Sequence, residues 1–344
     1  MAVTNDLVTD RRVMRHVVSL REAGYEVSVI GRNDLVLKHC CGWIFYAEYN
    51  LKLFRCLKKE RPDVVWANDT DTLLGSWLAV KVCRRPKARL VMDAHELFPE
   101  VPEIQEKPLV KWVWRAIERC LMPKCDALFT VCQSIADYYK EKYGVEMTVV
   151  RNVCGEWKAE SGKWRVESGG RVLLYQGCVN KGRGVDWAID ALEWLEDCRL
   201  VIAGGGDLLE EMRVYAQSKP WSDRIEFLGR LTPEELEPLT RQASVGLVML
   251  EDIGLSYHFA LPNRIGDFVA AGVPMVVSNL PEMAAVVRRF GVGVVMRGAG
   301  ARYLAEAVKG VLSKEWKEDD FAEAREDMDW NKEKLKLIKI IERI

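Results

Sequence analysis

RVLLYQGCVNKGRGVDWAIDAL (171–192) reads as a strand, a glycine-bearing turn and a helix in immediate succession. The apolar run Val172–Tyr175 is of the kind that a parallel sheet buries on both faces. Gly177 ends it, and Lys181 and Arg183 stand in the turn just before the helix. Cations beside a helix N-terminus suit a diphosphate whose leaving charge must be stabilised.

The same alternation runs outward in both directions. Upstream, YEVSVIG (25–31), DVVWAN (63–68), ARLVMD (88–93), DALFTV (126–131) and MTVVRN (147–152) read as strands. Between them lie helices such as TDRRVMRHVVSLREAG (9–24), where Val13, Val17 and Leu20 recur at helical spacing and Gly24 supplies the stop. Downstream, RLVIAGG (199–205), RIEFLGR (224–230), SVGLVML (244–250), VPMVVSN (273–279) and VGVVM (292–296) continue the pattern. Alternating strands and helices predict an α/β fold of parallel sheets built by βαβ crossovers. The polar stretch CGEWKAESGKWRVESGG has no periodicity and reads as a connection between two domains. The expected organisation is residues 1–155, a connection over 156–170, residues 171–322, and a C-terminal helix over 323–344 with Leu335, Ile338 and Ile341 on one face.

A chain of 344 residues exceeds what one hydrophobic core usually serves, in keeping with two domains. Its 50 Lys and Arg against 51 Asp and Glu exclude the strongly basic footprint of a nucleic-acid binder. The 10 cysteines form no CxxC pair, and the adjacent His39, Cys40 and Cys41 read as ordinary residues rather than metal ligands. No signal-peptide core and no membrane-spanning run is found, so a cytoplasmic protein is expected, with contact at the inner face of a membrane left open. KPLVKWVWRAIERCLMPK (107–124) mixes tryptophans with Lys and Arg as an interface-lying helix does, although a helix with one face in the core is the preferred reading.

Several strand tips carry candidate chemistry. DAHELFPE (93–100) delivers His95 and Glu96 into the loop at a strand's carboxyl end, where ligands of such folds bind. Asp69-Thr70-Asp71 is a DxD triplet, read as a loop with a helix cap rather than a metal site. Gly204, Gly205 and Gly206 follow a strand, and tight turning explains them as well as a phosphate cradle does. No GxGxxG follows the first strand, which removes support for a dinucleotide-dependent dehydrogenase. FALPNRIGDFVAAGVPMVVSNLPE (259–282) places Asn263 and Arg264 in a helix's first turn and Asp267 on the same face, a cation for phosphate and a carboxylate for a ribose.

Together these motifs, in this order from about Asn5 to the final helix, resemble glycosyltransferase family 4, the retaining GT-B enzymes. The resemblance implies two Rossmann-like domains facing each other across a cleft, with the C-terminal helix crossing back to the first. It implies a metal-independent, retaining sugar transfer without a cofactor, from a nucleoside diphosphate sugar to a glycan, lipid or small-molecule acceptor. His95, Arg183 and Lys181 would be catalytic. Gly177, Gly204, Gly206, Asn263, Arg264 and Asp267 would hold the donor, and Asn5, Asp69 and Glu96 would lie on the acceptor side. The sequence departs from the family in three places. The two glutamates eight positions apart are Phe259 and Asp267, the usual Gly-Arg is Gly177-Cys178, and the shortened first strand lacks a glycine-rich loop. The missing acid at Phe259 keeps a non-catalytic sugar-nucleotide-binding subunit as an alternative, beside a GT-B nucleotide-sugar epimerase.

Overall fold

A computed structural model describes residues 1–5, 10–81, 88–153 and 170–344. The connection expected over 156–170 therefore lies, apart from Gly170, outside the described residues. The chain divides into two compact units. The first comprises Met1–Arg151 with Gly254–Ser256 and Asn331–Ile344, and the second Asn152–Ile253 with Tyr257–Trp330.

The first unit holds a parallel sheet of β1 (Val64–Asn68), β2 (Arg89–Ala94), β3 (Ala127–Thr130) and β4 (Thr148–Val149), in that order. Beside β1, Ala2 bridges both Ala67 and Ile30. The strand expected over 25–31 is thus reduced to one bridge, at Ile30. Counting these two short segments, the spatial order is second, first, third, fourth, fifth, sixth. The order reverses between Ala2 and β1, and ligands of doubly wound sheets bind at the carboxyl ends flanking such a reversal.

Its helices are α1 (Arg11–Glu22), α2 (Gly42–Glu60), α3 (Thr70–Lys81), α4 (Pro102–Gln105), α5 (Pro108–Leu121) and α6 (Gln133–Tyr143). Asp10 caps α1 by accepting the Val13 N–H at 2.9 Å, and Val13, Val17 and Leu20 face the core as their spacing predicts. In α5 the core takes only part of the apolar set. Trp114 and Leu121 are buried, whereas Trp112 is 68% exposed, so the helix has one face in the core.

The second unit contains β5 (Arg171–Gln176), β6 (Cys198–Ala203), β7 (Ile225–Gly229), β8 (Val245–Val248), β9 (Met275–Val277) and β10 (Gly293–Val295). All are parallel, in the order β10-β9-β8-β5-β6-β7. This is the dinucleotide-fold order, and its reversal lies between β5 and β8. Around it run α7 (Val185–Ala191), α8 (Leu209–Gln217), α9 (Pro233–Arg241), α10 (Leu255–His258), α11 (Arg264–Ala271), α12 (Pro281–Phe290), α13 (Ala301–Leu312) and α14 (Ala322–Asp327). Leu173, Leu200 and Leu247 from three strands join Val308 and Val311 of α13 in one buried cluster.

The last helix, α15 (Trp330–Ile341), returns to the first unit. Glu333 is fully buried, where it accepts from the Arg151 N–H at 3.1 Å and from Arg151 Nε at 2.8 Å. That ion pair sets the rotation of the helix. Leu337 and Ile341 turn inward with Glu333, and Leu335, expected on the apolar face, is 57% exposed.

Candidate functional site

In the first unit the residues at the reversal of strand order converge on two strand tips. β1 ends at Asn68, and Asp69 follows in the left-handed region at φ 59°, a conformation that Asp and Asn tolerate better than most side chains. The turn carries the Asp69 carboxylate to the tip of β2, where its Oδ1 accepts the His95 N–H at 2.7 Å. Of the DxD triplet, Asp69 makes the turn and ties it to the neighbouring strand tip, and Thr70 and Asp71 open α3. Thr4 Oγ1 donates to Asp71 Oδ2 at 2.5 Å and joins the chain's start to the same corner. Asn5, at the next position, donates through Nδ2 to Asp10 at the cap of α1.

His95 sits between two carboxylates. Its Nδ1 lies 3.4 Å from Asp69 Oδ2 and its Nε2 lies 3.3 Å from Asp93 Oδ2. Asp93 is fully buried, and Arg12 grips it with Nε at 2.9 Å and a terminal nitrogen at 2.7 Å, while the other terminal nitrogen donates to the Val150 carbonyl at 2.7 Å. Burial alone would raise the Asp93 carboxyl, but Arg12 and His95 outweigh it and hold it well below the carboxylate range. For His95, burial favours the neutral ring and the two carboxylates overcome it, raising the imidazolium to about 9. Burial lifts Asp69 to about 8 and Asp71 to about 7, and the neighbouring charge of Glu96 adds to both shifts. Behind the cluster, burial pushes His16 well below its ordinary value. With a carboxylate facing each ring nitrogen, His95 is suited to act as a fixed positive charge and hydrogen-bond donor rather than as a general base.

Sequence reasoning missed Arg12 and Asp93. The signal was faint but present, because Arg12 and His16 lie on the stripe of α1 that also carries the buried Ser19. A buried arginine needs an acid, and Asp93 at a strand end supplies it.

In the second unit the reversal point is pinned by one side chain. Strands that end at a switch point leave carbonyl oxygens without ladder partners. Arg264, only 5% exposed, reaches from the start of α11 and donates to the Gln176 carbonyl at 2.9 Å and the Met249 carbonyl at 3.1 Å. Its guanidinium stacks 4.8 Å from the centre of the Tyr175 ring. Asp267, also buried, accepts from Gln176 Nε2 at 2.8 Å, and Gln176 Oε1 accepts from Thr240 Oγ1 at 2.9 Å. Arg264 and Asp267, expected to meet phosphate and ribose, also brace the strand ends, Arg264 at the ends of β5 and β8 and Asp267 through Gln176 of β5. Asn263, before α11, is exposed.

The loop that leaves β5 at this point carries the remaining candidates. Gly177 has φ 136°, which favours glycine, and a Cβ there would lie 2.9 Å from the Arg264 guanidinium. A Cβ on Gly204 would fall 1.8 Å from the Gly177 carbonyl oxygen, and one on Gly206 would fall 2.4 Å from the Val179 carbonyl. Close packing between the loops after β5 and β6 thus accounts for these glycines. Lys181 is exposed at the loop's tip, and Arg183 stacks 4.7 Å from the centre of the Tyr257 ring, directly before α7. Glu251, at the end of β8, is raised by its partial burial and by Asp186, against the charge of Lys181. Phe259 packs edge-on against His258 with ring centres 5.0 Å apart. Among the described residues, no three His, Cys, Asp or Glu side chains are grouped so as to hold a metal ion.

Comparison with known proteins agrees with this architecture. Residues 10–153 match the family described as Glycosyltransferase Family 4, and residues 170–314 match Glycosyl transferases group 1. Glycogen synthase of Mycobacterium tuberculosis is 29% identical over 205 residues, covering 57% of this chain and 48% of that protein. The chain thus spans about half the length of the curated relatives it matches. Among solved structures, sucrose-phosphate synthase from Thermosynechococcus elongatus superimposes with a TM-score of 0.76 at 16% identity, over 99% of this chain and 98% of the other. An Anabaena protein solved in complex with UDP gives 0.71 at 12% identity, over 100% and 99%. At such identities the likeness shows the shared fold.

Proposed function

Because this chain belongs to glycosyltransferase family 4, we propose that it transfers a hexose-type sugar from a nucleoside diphosphate sugar to an acceptor, with retention and without a metal. One observation carries the reading. The loop leaving β5 at the reversal of the second sheet presents Lys181 and Arg183 just ahead of α7. A diphosphate there would meet two cations and a helix start, and negative charge grows on it as the glycosidic bond breaks. Arg183 is the better preorganised of the two, since its guanidinium already rests on Tyr257. Arg264 and Asp267 contribute by holding the strand ends from which the loop departs.

The first unit supplies His95. With Asp69 and Asp93 beside its nitrogens, the ring carries a proton at neutral pH and is a fixed positive charge at the strand tips of this unit. The UDP bound by the Anabaena protein favours a nucleoside diphosphate as the carrier. A thermal-shift screen against UDP-, GDP- and ADP-sugars tests donor binding, because a ligand that binds only the folded chain raises its melting temperature. The matching donor should then be consumed on addition of an acceptor mixture, and no shift with any donor would reject the proposal.

Phe259 supports a second reading, since an aromatic ring stands where the family places a carboxylate toward the donor sugar. A binding subunit would show the thermal shift and never release nucleoside diphosphate. Release above the uncatalysed background would reject that alternative.

A further inference from the structure

α5 is amphipathic toward the core and apolar a second time toward solvent. Its inner face buries Trp114 and Leu121, and Tyr46 of α2 meets Trp114 edge-on with ring centres 5.1 Å apart. Its outer face repeats Leu109, Trp112 and Val113 at helical spacing, and these are 80%, 68% and 45% exposed. A folded surface seldom leaves so large an aromatic and two aliphatic side chains together in water without a partner for them. One turn before Tyr46, the start of α2 exposes Trp43 by 76% and Ile44 by 41%.

The charges around the stripe identify the partner. Residues 107–124 carry Lys107, Lys111, Arg115, Arg119 and Lys124 against the single acid Glu118, which is buried. Lys111 and Arg115 are paired with Glu100, whereas Lys107, just before the helix, and Arg119 are exposed. Glu103 and Glu106 before this segment and Asp126 after it are the acids nearest in sequence. Tryptophan and short aliphatic side chains on a convex helix, edged by Lys and Arg, match the headgroup layer of a membrane better than a protein groove. The helix has 14 residues, and none of the described helices is long and apolar enough to cross a membrane.

We infer that the outer stripe of α5, Leu109–Trp112–Val113, docks into the headgroup layer of an anionic lipid bilayer, with the helix lying along the surface. This does not depend on sugar transfer and is tested separately. The full chain is sedimented with vesicles of phosphatidylcholine alone and of phosphatidylcholine mixed with phosphatidylglycerol. It should pellet with the mixed vesicles, less with the neutral ones, and come off as salt is raised. The double substitution Leu109→Ser with Trp112→Ser should lower the bound fraction about tenfold. Lys107→Gln with Arg119→Gln keeps the apolar ridge and should weaken binding about fivefold per charge, on anionic vesicles only. Unchanged melting temperatures establish that both variants are folded. Wild-type protein left in the supernatant with anionic vesicles would overturn the inference, as would full vesicle binding by both folded variants. A concentration-dependent dimer abolished by Trp112→Ser, without any vesicle binding, would assign the stripe to a second copy instead.

Discussion

Asp69→Asn isolates the electrostatic claim about His95. The amide keeps the oxygen that accepts the His95 N–H, and asparagine tolerates the left-handed backbone at this position, so the turn should survive. What is lost is the charge 3.4 Å from His95 Nδ1. Asp69 releases its proton at about 8 and His95 at about 9, so the carboxylate is charged over the range in which His95 titrates. An opposite charge at this distance moves a pKa by about 1–3 units, and partial exposure with Asp93 still in place argues for about 1–2. The chain has 4 histidines, so ring resonances in proton–carbon spectra can be assigned by substitution and titrated. The wild-type His95 resonance should titrate near 9 and that of the variant lower by about 1–2 units. The alkaline limb of donor turnover should move with it. A wild-type His95 that titrates at or below its ordinary value, or one unmoved by Asp69→Asn, would refute the two-carboxylate bracket.

The same cluster fixes the sign of a pH effect on stability. A His95 pKa raised in the folded chain contributes stability that is complete below its ordinary value and lost as pH rises through about 9. Asp69 and Asp71, raised by burial, also bind protons that the unfolded chain has released, so the melting temperature should fall from mildly acidic pH to about 9, and Asp69→Asn should flatten the decline. Arg183→Ala should lower donor turnover by about 3 kcal/mol of transition-state stabilisation, roughly a hundredfold, with an unchanged melting temperature, and full activity would remove the loop after β5 from the chemistry. Gly204→Ala places a Cβ 1.8 Å from the Gly177 carbonyl oxygen, and chemical denaturation should register a loss of at least about 2 kcal/mol. Arg264→Met strands two strand-end carbonyls and should cost about 1–3 kcal/mol of stability, with a smaller effect on the donor KM than Arg183→Ala. The reverse ranking would make Arg264 a direct phosphate ligand.

The strands were legible because each is an apolar run bounded by polar or glycine residues, a pattern set locally. The exceptions lie in particular elements. YEVSVIG has good strand composition, yet a single bridge at Ile30 forms. In α5 periodicity shows that one face is core but not which apolar residues lie on it, and Trp112 is exposed while Trp114 is buried. Leu335 was misplaced because the pattern scored apolar residues alone, whereas the buried ion pair of Glu333 with Arg151, 182 positions apart, decides the rotation of α15. At the site, residue types at strand tips were readable, since the carboxyl ends of parallel strands are where such folds meet ligands. Partners were not, because Arg12 and Asp93 are separated by 81 positions and nothing local joins them.

That distinction explains why Arg264 of the second unit acts as a support. The ends of β5 and β8 at the switch point both aim carbonyl oxygens at one place, and no neighbouring strand supplies donors. A buried cation with several N–H groups satisfies them, and in doing so Arg264 becomes inaccessible. The proposed diphosphate contact draws instead on residues that the sheet does not require. Lys181 and Arg183 meet that condition because the glycines at 177, 182 and 184 carry the loop away from the strand end at positive φ before α7 begins. The fold thus separates the cation that shapes the switch point from the cations that can follow a leaving group, a division that residue type alone does not show.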